Sequence, residues 1–413
     1  MGKWGATLKR AGWNTVDQAT TGLLSLAALA AIARLGSLET AGLFAALWAL
    51  SGLQTSLVGW GMGTLFFARA ARGREPLQPL HRAATGLTAL SLLVLYIATW
   101  AAIALLEAPS VDGPSPSMLY ALIGLRMTLA LTDPHRMVAL ARSNARLIVA
   151  RRLITGTLAA LGLVACVHFD LPVHLAAAIL GLEAVLFAIL TLHQTVQTGF
   201  RRHARPGISR LKRLAAAGLP LLAHTMAIAV YVRFDVIYVA WRFRTTDAAL
   251  YAGAARLAEA GNLLALIAAL AITPLLIETR AIDSSRPFRR QASQTLLASA
   301  SLSILGAGLA MAVGPTVLGF LFTTTYAEAT DILSVYALST GFVALGTIAT
   351  RILVAESRLT KPFQASLVGA GGNIALTVIL CQIMGPLGAA LATVLSYALV
   401  AAMLWHALLH ERS

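Results

Sequence analysis

The chain has 413 residues, of which 58% are hydrophobic and 12% are charged, and its mean hydropathy is +0.77. Because an ordinary soluble domain contains about 25% charged residues, this composition excludes a soluble globular protein and predicts an integral membrane protein. The formal net charge is +15, but the basic stretches lack the interleaved aromatic residues of an RNA-binding surface, so no nucleic-acid partner is expected.

Apolar segments follow one another along almost the whole chain. A helix needs about 20 apolar residues to cross a bilayer, and twelve segments reach or approach that length. In chain order they are residues 13–33, 42–67, 84–106, 118–141, 153–169, 172–198, 214–241, 249–277, 292–321, 332–354, 363–384 and 387–406. The first segment lacks a small-residue cleavage site, so it is expected to remain as a spanning helix. The sequence predicts an all-α membrane protein with twelve transmembrane helices.

Basic residues collect at every second joint between these segments. With the amino terminus inside the cell, twenty-five of the 32 Lys and Arg residues face the cytoplasm, whereas only Arg34, Arg242 and Arg244 lie outside. Cytoplasmic loops retain Lys and Arg, so both termini are expected in the cytoplasm. The same charge attracts anionic head groups, which makes membrane lipids expected partners.

The two halves of the chain resemble each other. Residues 37–45, which follow the first segment, are similar to residues 244–252, which follow the seventh, and residues 172–177 are similar to 386–391. Six segments per half place both copies on the same side, which predicts a parallel repeat about an axis along the membrane normal. We therefore expect two six-helix lobes, residues 1–200 and 214–413.

The expected connection between the lobes is a basic cytoplasmic linker, residues 201–213. Pro206 and Gly207 interrupt any helix there. A lipid-binding strap is the alternative interpretation of its charge, but the general excess of basic residues in cytoplasmic loops accounts for it.

Several motifs spread over the chain carry a family resemblance. They are RLGSLETAGLF at 34–44, YAGAARLAE at 251–259, GFLFTTTY at 319–326, GGNIAL at 371–376 and GPLGAALAT at 385–393. In these motifs the chain resembles the polysaccharide transporters of the multidrug/oligosaccharidyl-lipid/polysaccharide exporter superfamily, and within it the O-antigen and exopolysaccharide flippases of the Wzx type. Ser37 stands where that family usually has a proline.

The resemblance implies a V-shaped exporter fold with a central cavity that opens alternately to the two sides. It also implies a flippase for polyprenyl-diphosphate-linked oligosaccharide in the bacterial cytoplasmic (inner) membrane. A polysaccharide polymerase and a chain-length regulator are the candidate partners of such a protein. The alternative within the same superfamily is an ion-coupled multidrug antiporter, which predicts an acidic and aromatic cavity.

Charged residues inside the predicted helices locate the candidate site. Each costs roughly 2.5–3.5 kcal/mol at a helix centre, so it usually faces a cavity or a partner. The candidates for binding a phosphate, as planar guanidinium forks do, are Arg126, Arg136, Arg233 and Arg256. Pairing is the simpler interpretation: Arg126 and Asp133 lie seven residues apart on one helical face, and Arg256 and Glu259 lie three apart. These arginines can bind a phosphate only if the neighbouring carboxylates face away from them.

The first helix carries a polar stripe that a lipid-facing helix would not tolerate. Its members are Asn14, Asp17, Gln18, Thr21 and Ser25. Asn14 and Asp17 are candidates for hydrogen bonding to sugar hydroxyls. Bonding between neighbouring helices explains the stripe equally well.

The candidates for ion coupling are Glu183, Asp235, Glu259 and His224. Glu183 is a lone carboxylate near the middle of the sixth segment, which suits proton coupling. A protonated structural glutamate and a histidine that bonds a neighbouring helix are the alternatives for Glu183 and His224.

Enzymatic motifs are missing from the sequence. It has no phosphate-binding glycine loop of the Walker type and no zinc-ligand spacing of His and Cys, so we expect neither an enzyme nor a cofactor or metal. The nearest candidate, residues 133–136, is better explained as a kinked helix end with an ion pair. Cys166 and Cys381 lie in apolar segments, where they are expected to be small core residues.

The charge distribution predicts the topology. After Ser115→Cys, an impermeant thiol reagent should label the protein in intact cells, whereas Ser209→Cys should label only in permeabilised cells. Labelling of Ser209→Cys alone in intact cells would establish the opposite orientation.

Overall fold

The computed structural model describes residues 3–71, 78–107, 114–141, 145–197, 208–281, 285–356, 358 and 360–410. Within these ranges the chain is helical and contains no β-strand, as predicted. The first nine helices are α1 (Lys3–Leu35), α2 (Leu38–Val58), α3 (Met62–Ala71), α4 (Gln78–Leu106), α5 (Pro116–Ile123), α6 (Asp133–Ala141), α7 (Arg146–His168), α8 (Val173–Gln197) and α9 (Ile208–Arg242). The others are α10 (Thr245–Ala281), α11 (Ser285–Leu321), α12 (Thr330–Ala337), α13 (Ser339–Ala355), α14 (Thr360–Met384) and α15 (Pro386–His410).

Among the described residues, ten helical segments are long and apolar enough to cross a membrane. They correspond to ten of the twelve predicted segments, and they make the chain a multi-pass membrane protein. The eighth predicted segment lies within α10, a continuous helix of 37 residues. The fourth is not one regular helix.

The fourth predicted segment, 118–141, consists of α5, a 3₁₀ helix over Gly124–Thr132, and α6. A 3₁₀ helix has three residues per turn, and runs of this length are uncommon. Gly124 packs against α4, because a Cβ there would lie 2.8 Å from the ring of Tyr96. The Tyr96 hydroxyl donates a hydrogen bond to the carbonyl of Ala121 at 2.7 Å. These contacts hold the irregular stretch against α4.

The second predicted segment, 42–67, is also interrupted. Between α2 and α3, Trp60 has φ 51° and Gly61 has φ 62°, a left-handed conformation that favours glycine. Glycine is required at 61 for a second reason, since a Cβ would lie 2.6 Å from the Cβ of Leu221 on α9. The turn therefore depends on close packing against α9.

By internal contacts the chain divides into two compact units, Met1–Ala229 and Val230–Ser413. The division falls inside α9 rather than in residues 201–213. Residues 201–207 of the predicted linker lie outside the described part, and residues 208–213 begin α9. The assignment of six transmembrane helices to each lobe stays a prediction.

In the second unit, α14 and α15 form an antiparallel hairpin that turns at Gly385, where φ is 62°. The register of the two helices is set by positions at which they approach each other closely. A Cβ at Gly388 would collide with the Leu380 carbonyl, and one at Gly369 would collide with Val400. Small residues thus let two membrane helices touch through their backbones.

The contact between α11 and α13 generates a stability prediction. The Gly341 amide donates to Ser303 Oγ at 3.0 Å, and a Cβ at Gly341 would collide with the carbonyl oxygen of Ser299. Gly341→Ala should therefore separate the helices at a cost of about 1–3 kcal/mol and lower the melting temperature of the detergent-solubilised protein by several degrees.

The matched control is Gly346→Ala on the same helix, because a Cβ there meets nothing within 4 Å. It should leave the melting temperature unchanged or raise it slightly, since alanine is the better helix former. Equal melting temperatures for the two variants would contradict the close packing at Gly341.

Candidate functional site

The first unit contains a connected group of charged residues, which we call the unit 1 network: the buried Asp17, Arg152 and Glu183 and the partly exposed Asp133 and Arg136. Arg136 Nη1 on α6 lies 2.7 Å from Asp17 Oδ2 on α1, and Arg136 Nη2 lies 3.0 Å from Asp133 Oδ1. Asp17 is 2% exposed. The structure thus brings together two of the predicted site residues, Asp17 and Arg136, as an ion pair.

Arg152 extends this network to Glu183. Its Nη1 lies 2.9 Å from Glu183 Oε1, and its Nε lies 3.6 Å from Asp17 Oδ1. The guanidinium also stacks on the ring of Phe187, 3.7 Å from its centroid, and Thr155 Oγ1 donates to Glu183 Oε1 at 2.8 Å. Glu183 is therefore held by a cation and a hydroxyl, and the ring of Phe187 holds the cation in place.

Two predictions about these residues are wrong. Glu183 is not a lone carboxylate, because it pairs with Arg152. Arg152 was counted among the cytoplasmic loop residues because it precedes the fifth predicted segment, 153–169, but α7 begins at Arg146 and places Arg152 almost two turns inside the helix. The sequence signal that could have found this pair is the cost of an unpaired carboxylate in an apolar helix. A carboxylate in such a helix needs a nearby cation to offset that cost, and Arg152 immediately precedes the neighbouring predicted segment, 153–169.

Arg126 makes a different kind of contact from Arg136 and Arg152. Its guanidinium lies over the ring of Trp48 on α2, 3.7 Å from the ring centroid, which is a cation–π contact. The predicted alignment of Arg126 with Asp133 is wrong, because residues 124–132 form a 3₁₀ helix. With three residues per turn, positions seven apart are turned by about 120° rather than eclipsed.

The second unit contains what we call the Arg–Glu–Arg triad: Arg233 on α9, with Glu259 and Arg256 on α10. Glu259 Oε1 lies 3.1 Å from Arg233 Nη1, and Glu259 Oε2 lies 2.6 Å from Arg256 Nη1. The predicted pairing of Arg256 with Glu259 is confirmed, and Arg233 joins it. Two guanidinium groups share one carboxylate, so the triad has a formal charge of +1.

Asp235 lies two residues beyond Arg233 and is fully buried. Its Oδ2 accepts hydrogen bonds from the hydroxyls of Tyr251 at 2.6 Å and Thr393 at 3.1 Å. Its Oδ1 accepts from the backbone amide of Val236 at 2.8 Å. These three donors are neutral, so they stabilise the carboxylate without cancelling its charge.

Further polar groups lie on α14, which packs against α15. Asn373 and Thr377 are fully buried, and their side-chain polar atoms have no hydrogen-bond partner in the described part of the protein. The register of the hairpin places Thr377 opposite Thr393. Oxygen atoms of this kind suit a hard cation or a water molecule, although the described residues contain no group of three or more His, Cys, Asp or Glu that could hold a metal.

Aromatic rings also accompany the triad's unit. Tyr231 on α9 and Tyr397 on α15 meet edge to face with ring centroids 5.4 Å apart, and Tyr251 and Tyr336 do so at 6.4 Å. These tyrosines and Thr393 were not predicted from the sequence. Their spacing along the chain gives no signal, since the partners come from helices that are distant in sequence.

The other members of the predicted site are less informative. The side chain of Asn14 lies outside the described residues, and His224 is half-buried on the part of α9 that belongs to the first unit. In the polar stripe of α1, Thr21 and Ser25 donate to carbonyls of their own helix. Each hydroxyl therefore uses its one O–H donor within α1.

No protein-family model matches this sequence, and no curated protein is significantly similar to it. Solved structures are similar in fold. An inward-facing multidrug resistance MATE family transporter of the MOP superfamily superposes with a TM-score of 0.73 at 14% identity, covering 94% of this chain and 93% of that one. The lipid II flippase MurJ in an inward closed conformation gives a TM-score of 0.71 at 14% identity, over 95% and 87% of the two chains.

A third similar structure is a MOP superfamily transporter from Pyrococcus furiosus, described as having a binding pocket of reversed polarity that suggests a different function. It has a TM-score of 0.67 and 13% identity, and the match covers 98% of this chain and 95% of that one. At these identities the comparisons show the fold. The chain has the same fold as these transporters, which is the fold that the resemblance of its motifs implied.

Proposed function

We propose that this protein is a flippase that carries polyprenyl-diphosphate-linked oligosaccharide across the bacterial cytoplasmic membrane by alternating access. The observation that carries the proposal is the Arg–Glu–Arg triad. Two arginines converge on one small anion and retain a formal positive charge. A diphosphate presents the acceptor oxygens that two planar guanidinium forks bind.

The exposure of the triad supports its role in binding. Arg233 and Glu259 are 24% and 23% exposed, whereas Arg256 is 8% exposed. A ligand can therefore reach Arg233, while Arg256 is fixed deeper in the unit.

The same unit offers groups that suit the sugar part of such a substrate. Tyrosine rings can pack against the apolar faces of sugars while their hydroxyls form hydrogen bonds, and Tyr231 and Tyr397 lie on the helices that carry Arg233 and Thr393. The prenyl chain would remain in the lipid during transport. The proposed flippase would serve the assembly of O-antigen or exopolysaccharide, with a polysaccharide polymerase and a chain-length regulator as its partners.

Charge at the triad should decide transport. The double variant Arg233→Ala, Arg256→Ala should abolish flipping of a fluorescent polyprenyl-diphosphate oligosaccharide in proteoliposomes. Double substitution by lysine should retain part of the activity, because lysine keeps the charge but loses the planar fork.

The matched control is Arg358→Ala in the same unit, which removes an arginine whose carboxylate partner is Glu356, with 3.4 Å between Nη1 and Oε2. All variants are compared at equal amounts of inserted protein. Full flipping by the double alanine variant, at the rate of the control, would remove the triad from the mechanism.

Ion coupling, if transport uses it, fits Asp235 best among the predicted candidates. Glu183 and Glu259 are each held by arginine, whereas the described donors to Asp235 are neutral. A proton or a sodium ion would neutralise this buried carboxylate, and its arrival could be linked to movement of Tyr251 and Thr393.

We expect Asp235→Asn to flip the substrate at a rate that no longer responds to a sodium or proton gradient, because the amide carries no charge to neutralise. Flipping is measured in proteoliposomes with each gradient imposed in turn. An unchanged response to both gradients would exclude Asp235 as the coupling residue.

Drug–cation antiport is the second candidate, and one observation favours it. The unit 1 network contains three carboxylates and two guanidinium groups, so its formal charge is −1 and it could attract a cation. The same proteoliposomes distinguish the two functions. Gradient-driven accumulation of ethidium that is lost in Asp17→Asn, without flipping of the lipid-linked sugar, would favour the antiporter.

A further inference from the structure

The carboxylate of Glu259 contacts the two arginines in the way that a bound phosphate group would. Its carboxylate bridges the two arginines: Oε1 lies 3.1 Å from Arg233 Nη1, and Oε2 lies 2.6 Å from Arg256 Nη1 and 3.4 Å from Arg233 Nη1. A phosphate group also offers adjacent oxygens to guanidinium N–H groups. A diphosphate bound by the same two arginines would need the place that Glu259 occupies.

The side chain of Glu259 is also placed so that it can move away from the two arginines. It is attached to the same helix as Arg256, one turn away, whereas Arg233 belongs to α9. Its side chain is 23% exposed, in contrast to Glu183 in the first unit, which is 1% exposed and closed in by Arg152 at 6%. The Glu259 side chain therefore has free space on one side into which it can rotate, which Glu183 lacks.

We infer that Glu259 is an internal substitute for the substrate's diphosphate: it neutralises the arginines when no substrate is bound and is displaced when the diphosphate enters. The inference rests on the proposed function and adds a regulating residue to its binding site. The apparent affinity for the substrate is lowered, because only the fraction of molecules with Glu259 displaced can bind. Return of Glu259 assists release of the substrate on the far side.

The test compares binding of farnesyl diphosphate to the full-length detergent-solubilised protein and its variants by isothermal titration calorimetry. Glu259→Gln should bind at least about tenfold more tightly, a difference of about 1.4 kcal/mol, and Glu259→Asp, which keeps the anion, should bind more weakly than Glu259→Gln. In proteoliposomes Glu259→Gln should flip the substrate more slowly, since release limits turnover.

Two controls make the result specific. Glu356→Gln removes a carboxylate from the ion pair with Arg358 in the same unit and should leave the affinity unchanged. Glu259→Gln should raise the affinity for short-chain phosphatidylglycerol, a phosphodiester, less than it raises the affinity for farnesyl diphosphate. An equal gain for both would assign the site to lipid head groups and overturn the inference.

The outcomes also separate this inference from the function on which it rests. Equal affinity of the wild-type protein and Glu259→Gln for farnesyl diphosphate would overturn only the substitution by Glu259. Absence of binding in both proteins would overturn the diphosphate substrate itself, and with it the inference. A gain in affinity that is lost again in Arg233→Gln, Glu259→Gln would support the inference, because the displaced site is then shown to be the arginine pair.

Discussion

The cost of placing charge in an apolar environment governs the arrangement of this protein's polar residues. An unpaired charge in a membrane helix is expensive, and removing one partner of a buried pair leaves the other uncompensated, at about 3–5 kcal/mol. The helices that carry charge are therefore tied to particular neighbours. Asp17 connects α1 to α6 and α7, and Glu183 connects α7 to α8.

Such pairs are weak evidence for stability, because well-packed apolar residues can replace them with little loss. Their retention is better explained by what charge can do that methyl groups cannot. In the triad, a third charged group turns a structural pair into a site with a net charge. The difference between a buried ion pair and a candidate anion site is therefore a single extra guanidinium, that of Arg233.

The sequence predicted the helical segments well because each depends on a local property, the mean apolarity of about 20 residues. Interruptions within segments were not predictable in the same way. The 3₁₀ helix at 124–132 and the turn at Trp60–Gly61 are fixed by contacts with α4 and α9, which come from elsewhere in the chain. Glycine at 61 and 124 is compatible with an ordinary membrane helix as well as with these turns.

The candidate site was predictable in its chemistry but only partly in its connections. Charge inside apolar segments identified the charged members of the site except Arg152, and the pair Arg256–Glu259 followed from helical spacing alone. Arg152 was assigned to a loop because the segment boundary was set by apolarity, and a long arginine side chain can begin near a helix end and still reach inward. Pairs between helices, such as Arg233 with Glu259, depend on tertiary structure.

The two units use buried charge in different ways. In the first, Arg136 and Asp133 are partly exposed, but Asp17, Arg152 and Glu183 are each nearly inaccessible, so a ligand could reach these three only if the helices moved apart. In the second, Arg233 and Glu259 remain about one-quarter exposed, so exchange of one anion for another requires only a side-chain rotation. Side-chain rotation is far faster than separation of packed helices. We therefore assign anion exchange to the second unit and the fixing of helix positions to the three buried members of the unit 1 network, Asp17, Arg152 and Glu183.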